Sequence, residues 1–433
     1  MANNSSLIIN ESQHLDGEIN LPGDKSITHR AIILGSLSNG QVNIQNALFS
    51  GDCLKTIDAL SLLGVKISIA DSVIHINGKG LNSLKKPSDI IDAGNSGTLA
   101  RLISGVLATQ SFDSSLTGDE SLVKRPMKRI IEPLMVAGAK ITSEKNKLPI
   151  CFIGSSMQPI NHISSIPSAQ VKSCLTLAAL FIDGESHISE SIKTRDHTER
   201  MLKYLNYPIS INKNTISIVG KKVITAKDIK IPSDISSAAF LIVAALIKEK
   251  SNIILKSIGV NPLRTGIIDV LINMGADIKI NNNRTICNEP VADISVKSSV
   301  LKPIKLSGNI ISRLIDELPI LFIACTCCKG TSVIRDIEEL RHKESDRIKS
   351  MEDGLIKLGI KVKSTSNSIS ITGGTLNGGI INSYSDHRVA MSFIIAGLVS
   401  SKSITVLDTG NINTSFPNFV EILKDQNIEI YNL

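Results

Sequence analysis

A pattern of apolar and polar positions recurs six times along the chain. Each copy predicts an amphipathic helix, a turn at Gly or Asn, and a strand whose apolar positions alternate. Gly and Asn are expected at this turn because a helix commonly ends beside a residue with positive φ. The six turns are about 70 residues apart, with one interval of 84, at Gly64, Gly138, Asn206, Gly275, Gly359 and Asn427.

A second element precedes each of these copies. A polar turn opens a helix rich in small apolar residues, and a short strand of β-branched residues follows it. The first helix is apolar nearly all round and is therefore expected to be buried, whereas the amphipathic helix is expected to be half exposed. Each copy thus predicts a βαβαββ-like unit, with first helices at 26–37, 97–109, 169–181, 236–247, 316–325 and 386–399.

Six such units in 433 residues predict an α/β protein with two domains of three units. The sixth unit lacks a clear final strand, so we expect the N-terminal strand before Pro22 to pair with the second half. The predicted domains are 22–235 and 1–21 plus 236–433, with the active site in the cleft between them. No low-complexity linker joins them, which suits a double crossover better than a flexible tether.

Composition and charge favour small acidic substrates over nucleic acid. The net charge is +7, but 47 Lys and Arg are scattered among 40 Asp and Glu, and aromatic residues make up only 3%. The longest apolar runs, 238–247 and 318–325, are too short to span a bilayer, and the polar start lacks the features of a signal peptide. We therefore expect a cytoplasmic protein that binds neither membrane nor nucleic acid.

The seven cysteines and eight histidines do not predict a metal site. Cys325, Cys327 and Cys328 lie in an apolar helix-like stretch with no second CxxC or CxxH nearby, so we interpret them as buried small hydrophobic residues. The histidines at 29, 342 and 387 lack the spacing of metal ligands.

The first stretch with chemical potential is residues 22–30. An apolar run ends at Pro22-Gly23, and a helix begins after two charged residues and a serine. Ser26 or Thr28 is the expected cap of this helix. A helix start attracts anions, so Lys25, Ser26 and Arg30 predict a pocket for phosphate or carboxylate. Taken alone, the stretch fits an exposed basic loop beside a capped helix better, since such motifs at helix starts often match by chance.

Charged and polar residues also gather at the starts of the other buried helices. If these starts face one cleft, several cations meet a few carboxylates that can act as acid and base. Simpler alternatives remain for each segment taken singly. Asp316 could cap its helix, Lys343, Glu344 and Arg347 could form a solvated helix face, and Ser168 with Lys172 could suggest a nucleophile pair, although no oxyanion-type turn accompanies it. The segments are 92–98, 124–126, 168–172, 193–195, 315–317, 341–347 and 385–388.

Taken together, these segments resemble the 5-enolpyruvylshikimate-3-phosphate synthase family of enolpyruvyl transferases. The resemblance runs in order over essentially the whole chain and is closest to the branch with Ser-Ala-Gln and Thr-Arg-Asp-His. It is carried by Pro22-Gly-Asp-Lys-Ser-x-x-His-Arg30, Asp92-Ala-Gly-Asn-Ser-Gly-Thr98, Leu122-Val-Lys-Arg-Pro-Met127, Pro167-Ser-Ala-Gln-Val-Lys-Ser173, Arg195-Asp-His-Thr-Glu199, Asp316-Glu-Leu-Pro319, Lys343-Glu-Ser-Asp-Arg347 and Asp386-His-Arg388.

The resemblance implies two inside-out α/β barrel domains and transfer of the enolpyruvyl group of phosphoenolpyruvate to the 5-hydroxyl of shikimate 3-phosphate, with release of phosphate. This reaction belongs to the shikimate pathway to chorismate and aromatic amino acids, and it implies no metal and no cofactor. We expect a monomer.

The resemblance also implies roles for individual residues. Asp316, Glu344 and Lys25 would be the catalytic residues. Asp316 would take the proton from the 5-hydroxyl, Glu344 would protonate the methylene carbon, and Lys25 would contact both substrates. Shikimate 3-phosphate would be bound by Lys25, Ser26, Arg30, Ser168, Ala169, Gln170, Arg195, Asp316 and Lys343, with Arg195 at its phosphate. Phosphoenolpyruvate would be bound by Lys25, Gly97, Arg125, Gln170, Arg347 and Arg388.

Two alternatives remain beside this interpretation. An enolpyruvyl transferase acting on a UDP-amino sugar would carry a reactive cysteine before the Arg-Pro pair, and residues 118–124 contain none. A nucleic-acid-binding repeat protein is suggested by the pI of 8.9 and the modular pattern. The sequence departs from some family members at Thr414, where they have lysine, and at Glu339, where they have asparagine.

Overall fold

The computed structural model describes residues 5–11 and 13–433, and these residues form twelve α-helices. Helices rich in small apolar residues alternate with amphipathic ones, as the sequence pattern predicts. The helices are α1 (Lys25–Leu37), α2 (Gly51–Leu62), α3 (Gly97–Leu107), α4 (Lys128–Val136), α5 (Ala169–Ala179), α6 (His197–Tyr204), α7 (Ile235–Ile247), α8 (Gly266–Asn273), α9 (Leu318–Thr326), α10 (Arg347–Lys357), α11 (His387–Gly397) and α12 (Phe419–Asp425).

Twenty-four strands lie within the same described residues. The first fourteen are β1 (Leu7–Ile9), β2 (Asp16–Asn20), β3 (Asn39–Gln45), β4 (Lys66–Ala70), β5 (Val73–Lys79), β6 (Ile91–Asp92), β7 (Ser114–Thr117), β8 (Lys140–Ser143), β9 (Ile150–Ile153), β10 (Asn161–Ser164), β11 (Glu185–Glu190), β12 (Ile209–Asn212), β13 (Thr215–Val219) and β14 (Ile229–Lys230). The others are β15 (Asn252–Gly259), β16 (Asp277–Ile286), β17 (Glu289–Lys297), β18 (Lys305–Leu306), β19 (Thr331–Arg335), β20 (Lys361–Ser364), β21 (Ser368–Thr372), β22 (Gly379–Asn382), β23 (Ile404–Leu407) and β24 (Ile430–Asn432).

The strands form four-stranded sheets that share one pattern. In each sheet the first two strands of the order are parallel, and the second and third are antiparallel. A helix connects the two parallel strands in the pairs β6-β7, β10-β11, β18-β19 and β22-β23, as expected for a βαβαββ repeat, whereas the pairs β14-β3 and β2-β15 join strands from distant parts of the chain. Two consecutive strands close each sheet, except the sheet that ends at β1 and β24. Written from the parallel pair, the orders are β14-β3-β5-β4, β6-β7-β9-β8, β10-β11-β13-β12, β2-β15-β17-β16, β18-β19-β21-β20 and β22-β23-β1-β24.

The chain forms two compact units. The first unit comprises Gly23–Pro232 and Thr285–Glu289, and the second comprises the segment up to Pro22, Ser233–Arg284 and Pro290–Leu433. The N-terminal strands belong to the second unit, where β1 lies between β23 and β24 and β2 pairs with β15. The expectation that an N-terminal strand completes the second half is therefore confirmed. The α/β fold of six βαβαββ-like repeats is confirmed as well.

In each unit the small-residue helices are buried beneath the sheets, as expected of an inside-out α/β barrel. Helix α7 is buried from Ile235 to Leu246 because it is apolar on every face, whereas α6 and α12 bury only part of their surface. The predicted turn residues that end the amphipathic helices all have positive φ, from 58° at Asn427 to 102° at Gly138. This backbone conformation explains the preference for Gly and Asn at these positions.

Two local predictions are wrong. Asp24, not Ser26 or Thr28, caps α1, because its backbone is extended and its Oδ1 accepts a hydrogen bond from the backbone N–H of Ile27 at 2.8 Å. Cys327 is exposed, although Cys325 and Cys328 are buried. Within residues 5–11 and 13–433, none of the helices has the length and apolar character that a membrane crossing requires.

Candidate active site

The N-terminal ends of α1, α3 and α5 carry most of the predicted ligand residues of the first unit. Each helix begins at a capping side chain: Asp24 for α1, Ser96 for α3 and Ser168 for α5. A cap satisfies only part of the free N–H groups of the first turn, and the rest leave a partial positive charge. Three helix starts therefore provide a local environment that favours anionic ligands.

The basic side chains of α1 are held by specific partners. Lys25 Nζ lies 3.2 Å from Asp52 Oδ2. Arg30 is buried and donates from Nε to Thr198 Oγ1 at 2.8 Å and from Nη2 to Ser173 Oγ at 2.7 Å. The side chains of the predicted phosphate pocket are therefore oriented by α2, α5 and α6, which contradicts the alternative of an exposed basic loop.

Gln170 connects the starts of α5 and α3. Its Nε2 donates to Thr98 Oγ1 at 3.1 Å, and its Oε1 accepts from Arg101 Nη1 at 3.0 Å. Arg101 Nη1 also donates to the carbonyl of Gly97 at 3.1 Å. The structure thus brings Gln170 and Gly97 together through Arg101, a residue that the sequence analysis missed.

Arg125 lies beside the same helix start. Its Nη2 donates to Asn95 Oδ1 at 3.3 Å, and its side chain is largely buried. A Cβ added to Gly97 would lie 2.7 Å from Arg101 Nη1 and 3.0 Å from Arg125 Nη1. Gly97 therefore allows two guanidinium groups to approach the N-terminus of α3.

The remaining predicted residues of the first unit lie at the start of α5 and in the loop before α6. Ser168 is the N-cap of α5, and its Oγ accepts from the backbone N–H of Val171 at 3.4 Å. Ala169 is the first residue of that helix. Arg195 is partly buried in the loop between β11 and α6.

Arg347 is the centre of the charged cluster in the second unit. Its side chain is 1% exposed. Nε lies 2.8 Å from Asp386 Oδ2, Nη2 lies 2.5 Å from Glu344 Oε2, and Nη1 lies 3.8 Å from Asp316 Oδ1. A solvated helix face is therefore the wrong interpretation for Arg347, because this guanidinium is buried among three carboxylates.

Lys343 and Arg388 contact the same acidic residue. Lys343 Nζ lies 3.3 Å from Asp316 Oδ1, and Arg388 Nη1 donates to the Asp316 carbonyl at 2.8 Å. Asp316 does not cap α9, since Glu317 occupies the N-cap position and makes no side-chain cap bond there. Both predicted acid–base groups therefore lie in one network with three cations.

Burial and charge act in opposite directions on Arg347. Burial alone would lower the pKa of its guanidinium, but Asp386 and Glu344 outweigh that effect and raise the pKa above its ordinary value. Arg347 therefore stays charged. Asp386 in turn caps α11, and its Oδ1 accepts from the backbone N–H of Arg388 at 2.9 Å. One aspartate thus contacts two of the three arginines that the sequence analysis assigns to phosphoenolpyruvate, Arg347 through its side chain and Arg388 through its backbone N–H.

Sequence reasoning missed several partners that orient these side chains. Asp386 and Asn95 lie inside motifs that the analysis recognised, and Arg101 lies four residues after Gly97 on the same helix face. Asp52 carried no comparable signal. Among residues 5–11 and 13–433 there is no group of three or more His, Cys, Asp or Glu side chains arranged to hold a metal ion.

Comparison with known proteins shows which family this chain resembles in sequence and in fold. The model of the EPSP synthase (3-phosphoshikimate 1-carboxyvinyltransferase) family matches residues 9–423. The chain is 48% identical over 433 residues to the 3-phosphoshikimate 1-carboxyvinyltransferase of Ruthia magnifica subsp. Calyptogena magnifica, covering 99% of this chain and 100% of that protein. It is 47% identical over 408 residues to the enzyme of the same name from Legionella pneumophila (strain Lens), covering 94% of each.

A solved structure agrees with these sequence relatives. The EPSP synthase of Acinetobacter baumannii superimposes with a TM-score of 0.89 at 41% identity, covering 100% of both chains. The fold and the charged helix starts are those of an enolpyruvyl transferase. The chain belongs to the EPSP synthase family.

Proposed function

We propose that the residue groups of the two units act together on one pair of substrates, phosphoenolpyruvate and shikimate 3-phosphate. The reaction transfers the enolpyruvyl group to the 5-hydroxyl of shikimate 3-phosphate and releases phosphate, as a step toward chorismate and the aromatic amino acids. The contacts of Arg347 with Asp316 and Glu344 carry this proposal, because two carboxylates beside one buried cation suit the roles of base and acid that we assign to them.

In the proposed mechanism, Lys25, Ser26, Arg30, Ser168, Ala169, Gln170, Arg195 and Lys343 bind shikimate 3-phosphate. Gly97, Arg125, Arg347 and Arg388 bind phosphoenolpyruvate, with Lys25 and Gln170 contacting both substrates. Fixed cations suit phosphate and carboxylate groups because charge-assisted hydrogen bonds are stronger than neutral ones.

Asp316 then removes the proton of the 5-hydroxyl while Glu344 protonates the methylene carbon of phosphoenolpyruvate. The hydroxyl oxygen forms a bond to the central carbon, giving a tetrahedral ketal phosphate. Loss of phosphate and of a methyl proton restores the double bond. Asp316 and Glu344 thus exchange protons with the substrates, and the cations stabilise the departing phosphate.

The UDP-amino sugar alternative is not favoured. Its reactive cysteine has no counterpart in residues 118–124, and the relatives described above are named for 3-phosphoshikimate. We also propose that the protein is cytoplasmic and monomeric and binds no polynucleotide. The scattered charges and the 3% aromatic content argue against polynucleotide binding, which a gel shift at low salt tests, and size-exclusion chromatography tests the monomeric state.

Asp316→Asn and Glu344→Gln test the assigned chemistry. Each variant should retain its unfolding temperature but release phosphate about 100- to 10,000-fold more slowly. Asp353→Asn is the matched control, because Asp353 pairs with Lys349 on α10 and has no assigned role. Phosphate release close to that of the unmodified protein from either of the first two variants would contradict the assignment.

A further inference from the structure

A buried charged cluster in the first unit has no role in the mechanism above. Lys172 Nζ lies 2.7 Å from Glu190 Oε1 and 2.8 Å from Glu199 Oε1, and all three side chains are at most 6% exposed. We call these three residues the Lys172 cluster. Lys172 does not form a nucleophile pair with Ser168, since its ammonium group is occupied by two carboxylates and the Thr194 carbonyl.

The Lys172 cluster joins the segments that carry predicted ligand residues. Lys172 lies in the first turn of α5, one turn after Ser168, and its backbone N–H donates to the Ser168 carbonyl at 3.1 Å. Glu190 ends β11, and Glu199 lies in the first turn of α6. The loop between β11 and α6 contains Arg195.

Glu190 also determines the conformation of that loop. Its Oε1 accepts from the Thr194 backbone N–H at 3.1 Å, and its Oε2 accepts from Thr194 Oγ1 at 2.5 Å. Lys172 Nζ donates to the Thr194 carbonyl at 3.2 Å. Every hydrogen-bonding group of Thr194 is thus held by the cluster, and the next residue in the chain is Arg195.

A second bridge between the same two helices lies beside the first. Thr198 Oγ1 donates to Ser173 Oγ at 2.8 Å, and Arg30 donates to both hydroxyls. Residues 173 and 198 are the immediate neighbours of Lys172 and Glu199. The spacing between α5 and α6 therefore affects Arg30 as well as Arg195.

The charges of the Lys172 cluster favour one arrangement of its side chains. Burial alone would lower the pKa of Lys172, but Glu199 and Glu190 outweigh it and raise the pKa, so the ammonium group remains charged. Removing one member of a buried ion pair leaves the other charge uncompensated. The cluster therefore has one strongly preferred arrangement.

We propose that Lys172, Glu190 and Glu199 are positioning residues that order the loop 191–196 and so place Arg195 for the phosphate of shikimate 3-phosphate. The inference rests on the proposed function. A positioning residue of this kind acts on substrate affinity through Arg195 and leaves the acid–base chemistry of the second unit intact.

Thr194→Val tests the proposal with little change of shape, because it removes only the hydroxyl that donates to Glu190. We expect the Kd of shikimate 3-phosphate, measured by calorimetry, to rise about 10-fold, and kcat at saturating substrates to change less than about threefold. Thr176→Val is the matched control, since Thr176 is buried in α5 and donates only to the Lys172 carbonyl. Lys172→Met should raise the Kd of shikimate 3-phosphate further. If Lys172→Met does not fold, the result for Thr194→Val alone tests the proposal.

Combination with Arg195→Ala separates positioning from general destabilisation. If the cluster acts through Arg195, the double variant Thr194→Val/Arg195→Ala should bind shikimate 3-phosphate no more weakly than Arg195→Ala alone. Unchanged affinity in Thr194→Val, or additive effects in the double variant, would overturn the proposal. If the unmodified protein releases no phosphate from its two substrates, the proposed function fails and this inference fails with it.

Discussion

Replacing Gly97 with alanine is expected to weaken the binding of phosphoenolpyruvate while the protein remains folded. Gly97 begins α3, and an added Cβ would lie 2.7 Å from Arg101 Nη1 and 3.0 Å from Arg125 Nη1. Carbon and nitrogen atoms normally approach to about 3.5 Å, so each guanidinium must move by roughly 0.5–0.8 Å. Both atoms end flexible side chains, and alanine is favoured over glycine in a helix by about 1 kcal/mol, so the fold should tolerate the change.

The size of the effect follows from this displacement. A misplacement of about 1 Å in a site can cost about 100-fold, so we expect the apparent KM for phosphoenolpyruvate to rise about 10-fold. This corresponds to about 1.4 kcal/mol. The assay is phosphate release with shikimate 3-phosphate held saturating while phosphoenolpyruvate is varied.

Gly51→Ala provides a closely matched control. Gly51 begins α2, and nothing lies within 4 Å of a Cβ added there. The control should leave the KM for phosphoenolpyruvate unchanged. The reasoning is refuted if Gly97→Ala changes that KM less than twofold, or if Gly51→Ala raises it equally.

Two further predictions concern buried charges. Arg347→Met should lower the free energy of unfolding by about 3–5 kcal/mol, because it leaves the surrounding carboxylates buried without their cation. Arg335→Met is the control, since Arg335 is exposed. Equal denaturation midpoints for Arg347→Met and Arg335→Met would contradict the prediction. Burial, with Lys25 and Arg30, lowers the pKa of His29 well below its ordinary value. The unfolded chain therefore binds the proton first, and stability is complete above about pH 6.5 and is lost as the pH falls, by up to about 1.4 kcal/mol per pH unit. Denaturant unfolding at pH 7.5 and 5.5 should show that His29→Gln removes this loss of stability, whereas His14→Gln, at an exposed position, retains it. Identical pH dependence in the unmodified protein and both variants would refute the prediction.

The repeated architecture could be predicted because it depends on local signals. Each amphipathic helix ends at a Gly or Asn that needs positive φ, and each buried helix is apolar over most of its surface. The pairing of the N-terminal strand could be inferred from the missing last strand of the sixth unit. The cap of α1 was missed because Asp24, Ser26 and Thr28 are all capping residue types within five positions, and only the backbone conformation distinguishes them.

The partners of the site residues were harder to predict because they come from distant segments. Arg101 and Gln170 are 69 positions apart, and Arg347 and Asp386 are 39 apart. No periodicity relates such pairs, so they become neighbours only when the helix starts of different repeats converge. The role of Lys172 was hidden for the same reason, since Glu190 and Glu199 belong to the next strand and helix.

The most direct test of the account is phosphate release from the purified protein with phosphoenolpyruvate and shikimate 3-phosphate together and with each omitted in turn. The account predicts release only when both substrates are present, with one enolpyruvyl group transferred for each phosphate. Absence of release with both substrates, or equal release from phosphoenolpyruvate alone, would contradict it.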